Sequence, residues 1–98
     1  MLESHANAPS QLLSYLAQEL DRAKDAEQAQ RFAELQRIGR RLYGKLSIQG
    51  MAGLALQGRM LEQGAYCQES LLLQGALERL LEDYEGLVKR SASSSSIS

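Results

Sequence analysis

Leu73-Gln74-Gly75-Ala76-Leu77-Glu78-Arg79-Leu80-Leu81-Glu82-Asp83-Tyr84-Glu85-Gly86-Leu87 decides the fold class. Its large apolar residues Leu73, Leu77, Leu80, Tyr84 and Leu87 recur at 4-3-4-3 spacing, the period of one helix face in a coiled-coil-like seam. Leu71, Leu72, Leu81 and Val88 widen the stripe, and Lys89-Arg90 closes it with the charge that suits a helix C-terminus. Upstream, Leu12, Leu13, Leu16, Leu20 and Ala23 fall on one helical face, as do Leu35, Ile38, Leu42 and Leu46 further on. The composition agrees. The 98 residues include 18 Leu, four Val plus Ile, a single Phe and no Trp. Good helix formers are abundant and strand formers scarce. These counts exclude a β-sandwich or barrel, a nucleotide-binding α/β fold and a disulfide scaffold. The chain reads as all-α: a long helical hairpin with a short middle helix, hence a three- to four-helix bundle that dimerisation could complete.

Residues 1–9 are small and polar and read as a flexible arm, with Asn7 or Ser10 available to cap the first helix and Pro9 tolerated in its first turn. Lys24 to Gln30 has no large apolar residue, but no Gly or Pro either. The simplest reading is one helix over about 11–45 with a polar waist, about 50 Å long; the alternative is a short turn at Asp25. Gly44 or Gly50 ends that helix, with Ser47-Ile48-Gln49-Gly50 as the loop. Met51 to Glu62 reads as a short, weak helix, and the strongest helix begins at Ala65. Ser91 to Ser98 is low in complexity and reads as a disordered tail around a single 10–90 domain. Leu71-Leu72-Leu73 and Leu80-Leu81 span more than one helix face. The last helix therefore needs a second neighbour: the short helix, another subunit or a client protein.

The sequence argues against catalysis. The single His5 lies in the arm, so no Ser/His/Asp or Cys/His nucleophile system is in prospect. Cys67 reads as a small buried hydrophobe, and no Cys/His cluster suggests zinc or any other metal. Gly50-Met51-Ala52-Gly53 lacks the phosphate-loop pattern, and no cofactor is expected. A small helical enzyme would need Arg37, Arg40 or Arg41 to point into a pocket, but they project away from the Leu35/Ile38/Leu42 face. Five bases (Arg31, Arg37, Arg40, Arg41, Lys45) stand against one acid over 31–45, and six acids stand against one base over 62–85. These read as solvated faces that would attract each other across a hairpin. A net charge of −1 gives no reason to expect nucleic acid, and no apolar run approaches the roughly 18 residues of a membrane span. The N-terminus lacks signal-peptide character and the lone cysteine gives no sign of an oxidising compartment, so a cytoplasmic location is expected. Tyr43, among the arginines, is placed to anchor a partner.

The run from Leu16-Ala17-Gln18-Glu19-Leu20 through Ala33-Glu34-Leu35 to Leu42, followed by Glu69-Ser70-Leu71-Leu72-Leu73 through Leu80-Leu81, resembles the small flagellar export chaperones of the FliT and FlgN type. The likeness is one of pattern and covers about residues 11–90. It implies a cytoplasmic, non-catalytic chaperone of flagellar or type III secretion that holds an export substrate, such as a filament-cap or hook-junction protein. It further implies a client groove on the later helices, lined here by Leu54, Met60, Leu61, Leu71 and Leu72. A structural helical homodimer or adaptor is the alternative.

Overall fold

The computed structural model describes residues 2–97, with side chains for 10–90. The arm expected over 1–9 and the tail expected over 91–98 fall outside the residues with described side chains. Among the described residues the chain forms four α-helices and no strand: α1 (Leu2–Gln28), α2 (Phe32–Ile48), α3 (Ala52–Cys67) and α4 (Ser70–Ile97). Tight turns make consecutive helices antiparallel. Each helix packs against two others in the ring α1–α2–α3–α4, and α1 against α4 closes it. This is an all-α four-helix bundle.

The expected helix over 11–45 is broken. Gln30 adopts the left-handed conformation (φ 57°), the Gln30 N–H donates to Glu27 O, and the Arg31 N–H donates to Ala26 O at 2.8 Å. This is a Schellman motif with glutamine in place of the usual glycine. The same pair of bonds closes the next two turns. Gly50 (φ 74°) donates to Ser47 O and Met51 to Leu46 O; Gln68 (φ 55°) donates to Ala65 O and Glu69 to Gly64 O. Gly50 therefore ends α2, as one of the two expectations had it. The physical reason for the break near residue 30 lies in the phase of the stripes. At 100° per residue, the α1 stripe (Leu16, Leu20, Ala23, Ala26) and the α2 stripe (Leu35, Ile38, Leu42, Leu46) would point about 100° apart on one straight helix. Folding back at Gln30 turns both stripes into one core.

The middle helix is also longer than the sequence suggested. It runs without interruption through Gly58 and Gly64 to Cys67, and α4 starts at Ser70 rather than Ala65. One of its glycines and one of α2 serve close packing. A Cβ on Gly39 of α2 would lie 2.5 Å from Glu62 N and 2.7 Å from Gly58 O, and a Cβ on Gly58 would meet Leu42 and Tyr43 at 3.0 Å. Helices α2 and α3 therefore cross with backbone against backbone, closer than two side-chain-bearing helices can come.

The core is aliphatic. Leu16, Leu20, Ala23 and Ala26 of α1 meet Leu35, Ile38, Leu42 and Leu46 of α2, Leu54, Ala55, Leu61 and Ala65 of α3, and Leu73, Ala76, Leu77 and Leu80 of α4. Of the second neighbours open to the last helix, the short middle helix is the one found: α4 packs against both α1 and α3. The four helices of a single chain bury this core without help from a second subunit.

Candidate functional site

The close α2–α3 crossing leaves a cleft of about 370 Å3 on the outside of the bundle. One wall carries Gln36, Arg40 and Tyr43 at i, i+4, i+7 on α2, and the other carries Arg59, Gln63 and Tyr66 at the same spacing on α3, with Glu62 between them. That spacing aligns each set along one helix face. The helices are antiparallel, so the walls meet in rungs. Arg59 stacks on the Tyr43 ring at 5.0 Å, and one turn further Arg40 Nε donates to Glu62 Oε2 at 3.0 Å. Glu62 is largely shielded (17 % exposed), whereas the Arg40 side chain remains 70 % exposed, so its outer N–H groups face solvent. Tyr66 is 73 % exposed and Tyr43 38 %. Two large amphipathic rings and two guanidinium groups thus surround one carboxylate that is already engaged.

A second polar constellation sits between α1 and α2. Among the described residues Glu19 is the one buried charged side chain. Arg41 holds it in a fork, Nε to Oε2 at 3.2 Å and an outer nitrogen to Oε1 at 3.0 Å, with Arg22 4.0 Å away. The bonds to Glu19 push the Arg41 guanidinium above its ordinary pKa. One turn along, Lys45 lies over the Tyr15 ring at 5.3 Å. Burial, reinforced by the Glu19 carboxylate, raises the Tyr15 phenol above its usual pKa. Both rungs share one antiparallel register about Gln30, so this cluster acts as a polar clasp that aligns α1 on α2.

The structure does not gather the expected groove residues. Leu54 and Leu61 are core side chains and line no surface. The implied groove through them is corrected accordingly: they fall on the inner face of α3, which the four-helix closure buries. Met60 and Leu72 are half-buried, with Met60 packed against the core. Leu71 is 85 % exposed at the start of α4, the same end of the bundle as Tyr66. Tyr43 alone of the six lines the cleft. Cys67, expected to be buried, is exposed at the α3 C-terminus. Arg40 lines a cleft, but one outside the bundle, while Arg41 turns to Glu19 and Arg37 is exposed.

Sequence reasoning missed Arg59, Tyr66, Gln36 and Gln63, whose signal is a pair of matching polar stripes rather than an apolar one. It also missed Glu19, whose signal was plain: Leu12, Leu16, Glu19, Ala23 and Ala26 keep the 4-3-4-3 spacing, so a carboxylate occupies a core position. No helix among the described residues is long and apolar enough to cross a membrane. No protein-family model, curated protein or solved structure matches the chain.

Proposed function

We propose that this chain is a non-catalytic helical binding protein of the export-chaperone type, acting in the cytoplasm and holding a segment of a secretion substrate against the outer α2–α3 face. The observation that carries this reading is the cleft itself, with the exposed rings of Tyr43 and Tyr66 at its two ends. Tyrosine gives a large contact area at a small cost in side-chain entropy and keeps a polar tip for hydrogen bonding, and tyrosine and arginine are enriched at energetically dominant contacts. The backbone contact at Gly39 and Gly58 holds the two walls at a set separation, so the cleft is formed before a partner arrives and little ordering is needed on binding. The resemblance to flagellar export chaperones suggests the client class. The binding face moves from the buried Leu54 and Leu61 to the α2–α3 exterior, with exposed Leu71 at one end of the bundle.

The test uses purified filament-cap and hook-junction export proteins mixed with the full chain and analysed by gel filtration with light scattering. A 1:1 complex is expected with one of them. The double variant Tyr43→Ala/Tyr66→Ala should lose it, and Val88→Ser, on a different helix, should keep it. Absence of a complex with every such protein, or undiminished binding by the double variant, overturns the reading.

A further inference from the structure

The chemistry of the cleft goes further than its shape and points to the kind of helix it takes. This inference rests on the binding role proposed above. The groups that face outward are cationic and aromatic. Arg40 uses its Nε on the shielded Glu62 while its side chain remains largely exposed, and Arg59, also exposed, lies over the Tyr43 ring. Two guanidinium groups are thus offset by one carboxylate, and that carboxylate is already bonded. The Arg40 and Tyr43/Arg59 rungs are three residues apart on α2, about 4.5 Å along the axis. Side chains at i and i+3 or i+4 of a second helix stand about 5–6 Å apart.

We propose that the cleft binds an acidic amphipathic helix of another protein. Two of its carboxylates, one turn apart, would meet Arg40 and Arg59, and an apolar side chain would lie between the rings of Tyr43 and Tyr66. Charge complementarity selects the partner: fork-shaped N–H donors match carboxylates, and the tyrosine faces cover the methylene or leucine surface beside them.

This chain itself carries an acidic stripe of the right spacing, the exposed Glu78, Glu82 and Glu85 of α4. However, Glu78 lines a separate cleft between α1 and α4, on the side of the bundle away from the α2–α3 face. Copies joined through these two faces would stack head to tail, into a ring or an open filament, rather than pair as a closed dimer. A 1:1 complex therefore requires a different protein.

The experiment titrates the full isotope-labelled chain with a synthetic alanine-based helical peptide. It carries two glutamates one turn apart with a leucine between them, and its Glu→Gln and Glu→Lys versions serve as comparisons. Amide and tyrosine-ring resonances are followed by NMR at low and at physiological salt. The expected result is that the glutamate peptide shifts residues 36–43 and 59–66, binds about tenfold more tightly than the glutamine version, and weakens with salt. The lysine version should not bind there. Arg40→Gln/Arg59→Gln should abolish the preference for glutamate, and Arg59→Gln alone should reduce it if the double variant unfolds. Equal binding of the glutamine peptide overturns the acidic preference and leaves the cleft as a binding face. The acidic preference also falls alone if no peptide shifts the cleft while the export complex still requires Tyr43 and Tyr66. Concentration-dependent shifts of both the cleft and the Glu78–Glu85 face in the free chain overturn the proposal in favour of self-association.

Discussion

Replacing Gly39 by alanine tests the feature that builds the cleft. The new Cβ would sit 2.5 Å from Glu62 N, 2.7 Å from Gly58 O and 2.9 Å from Glu62 Cα, against an ordinary contact of 3.4 Å or more. All three neighbours are backbone atoms of α3, so no side chain can swing aside, and the helices must separate by about 0.9 Å to relieve the closest contact. Such overpacking costs about 1–3 kcal/mol, occasionally more. The gain in helix propensity from glycine to alanine returns up to about 1 kcal/mol. The expected net loss is about 1–2 kcal/mol, which for a domain of this size lowers Tm by about 4–16 °C. Gly53→Ala and Gly75→Ala are the internal controls, because nothing lies within 4 Å of either added Cβ. They should gain stability, each by up to about 1 kcal/mol. Urea and thermal unfolding followed by far-UV circular dichroism measure all three. A Gly39→Ala protein as stable as the parent, or stabilised like the two controls, would refute the backbone-to-backbone crossing and with it the preformed cleft.

The remaining expectations follow from the turns, the clasp and the core. Gln30→Gly and Gln68→Gly each relieve a left-handed non-glycine residue and should raise stability by about 0.5–1 kcal/mol in urea melts, whereas Gly50→Ala should lower it by a similar amount. Removing Arg41 as Arg41→Ala leaves the Glu19 carboxylate without its fork and should cost about 1–3 kcal/mol, while Glu19→Leu should be neutral or stabilising; a loss from Glu19→Leu as large as that from Arg41→Ala would contradict the clasp. Because the folded Tyr15 phenol has a pKa raised above its unfolded value near 10, its contribution is complete below about pH 10 and is lost as pH rises through the folded value; alkaline unfolding profiles should therefore be flatter above about pH 10 for Tyr15→Phe. Leu61→Ala should cost about 2–5 kcal/mol, and Leu71→Ser should leave the unfolding midpoint nearly unchanged.

The helix period was legible wherever large apolar residues repeat, so the all-α class, the seam through Leu73, Leu77 and Leu80, and the Leu35–Leu46 face could all be read directly. The break was legible only as an alternative turn at Asp25 and falls at Gln30 instead, because the usual signals for ending a helix are glycine and proline, and here a glutamine takes the left-handed position. The 100° slip between the α1 and α2 stripes carried the information instead. Closure of α1 onto α4 depends on which faces meet in three dimensions, so Leu54 and Leu61, which the resemblance assigned to a client groove, are core. Local spacing does not distinguish a core face from a groove when a short helix carries both. The cleft was least legible, because its residues are polar, sit on two helices and acquire meaning only when Gly39 and Gly58 bring those helices into contact. Tyr43 was found because it stands among arginines, whereas its partner Arg59 lies 16 positions away and meets it only through the antiparallel register about Gly50 and Met51.

The most direct test of the α2–α3 face is tyrosine nitration of the full chain, free and in complex with the export protein that it binds, with the modified residues located by mass spectrometry. Tyr66 and Tyr43 should react fastest in the free chain and become protected in the complex, while the half-buried Tyr15 and Tyr84 should react slowly in both. Unchanged nitration of Tyr43 and Tyr66 in a complex that has formed would show that the partner sits elsewhere and would contradict the account.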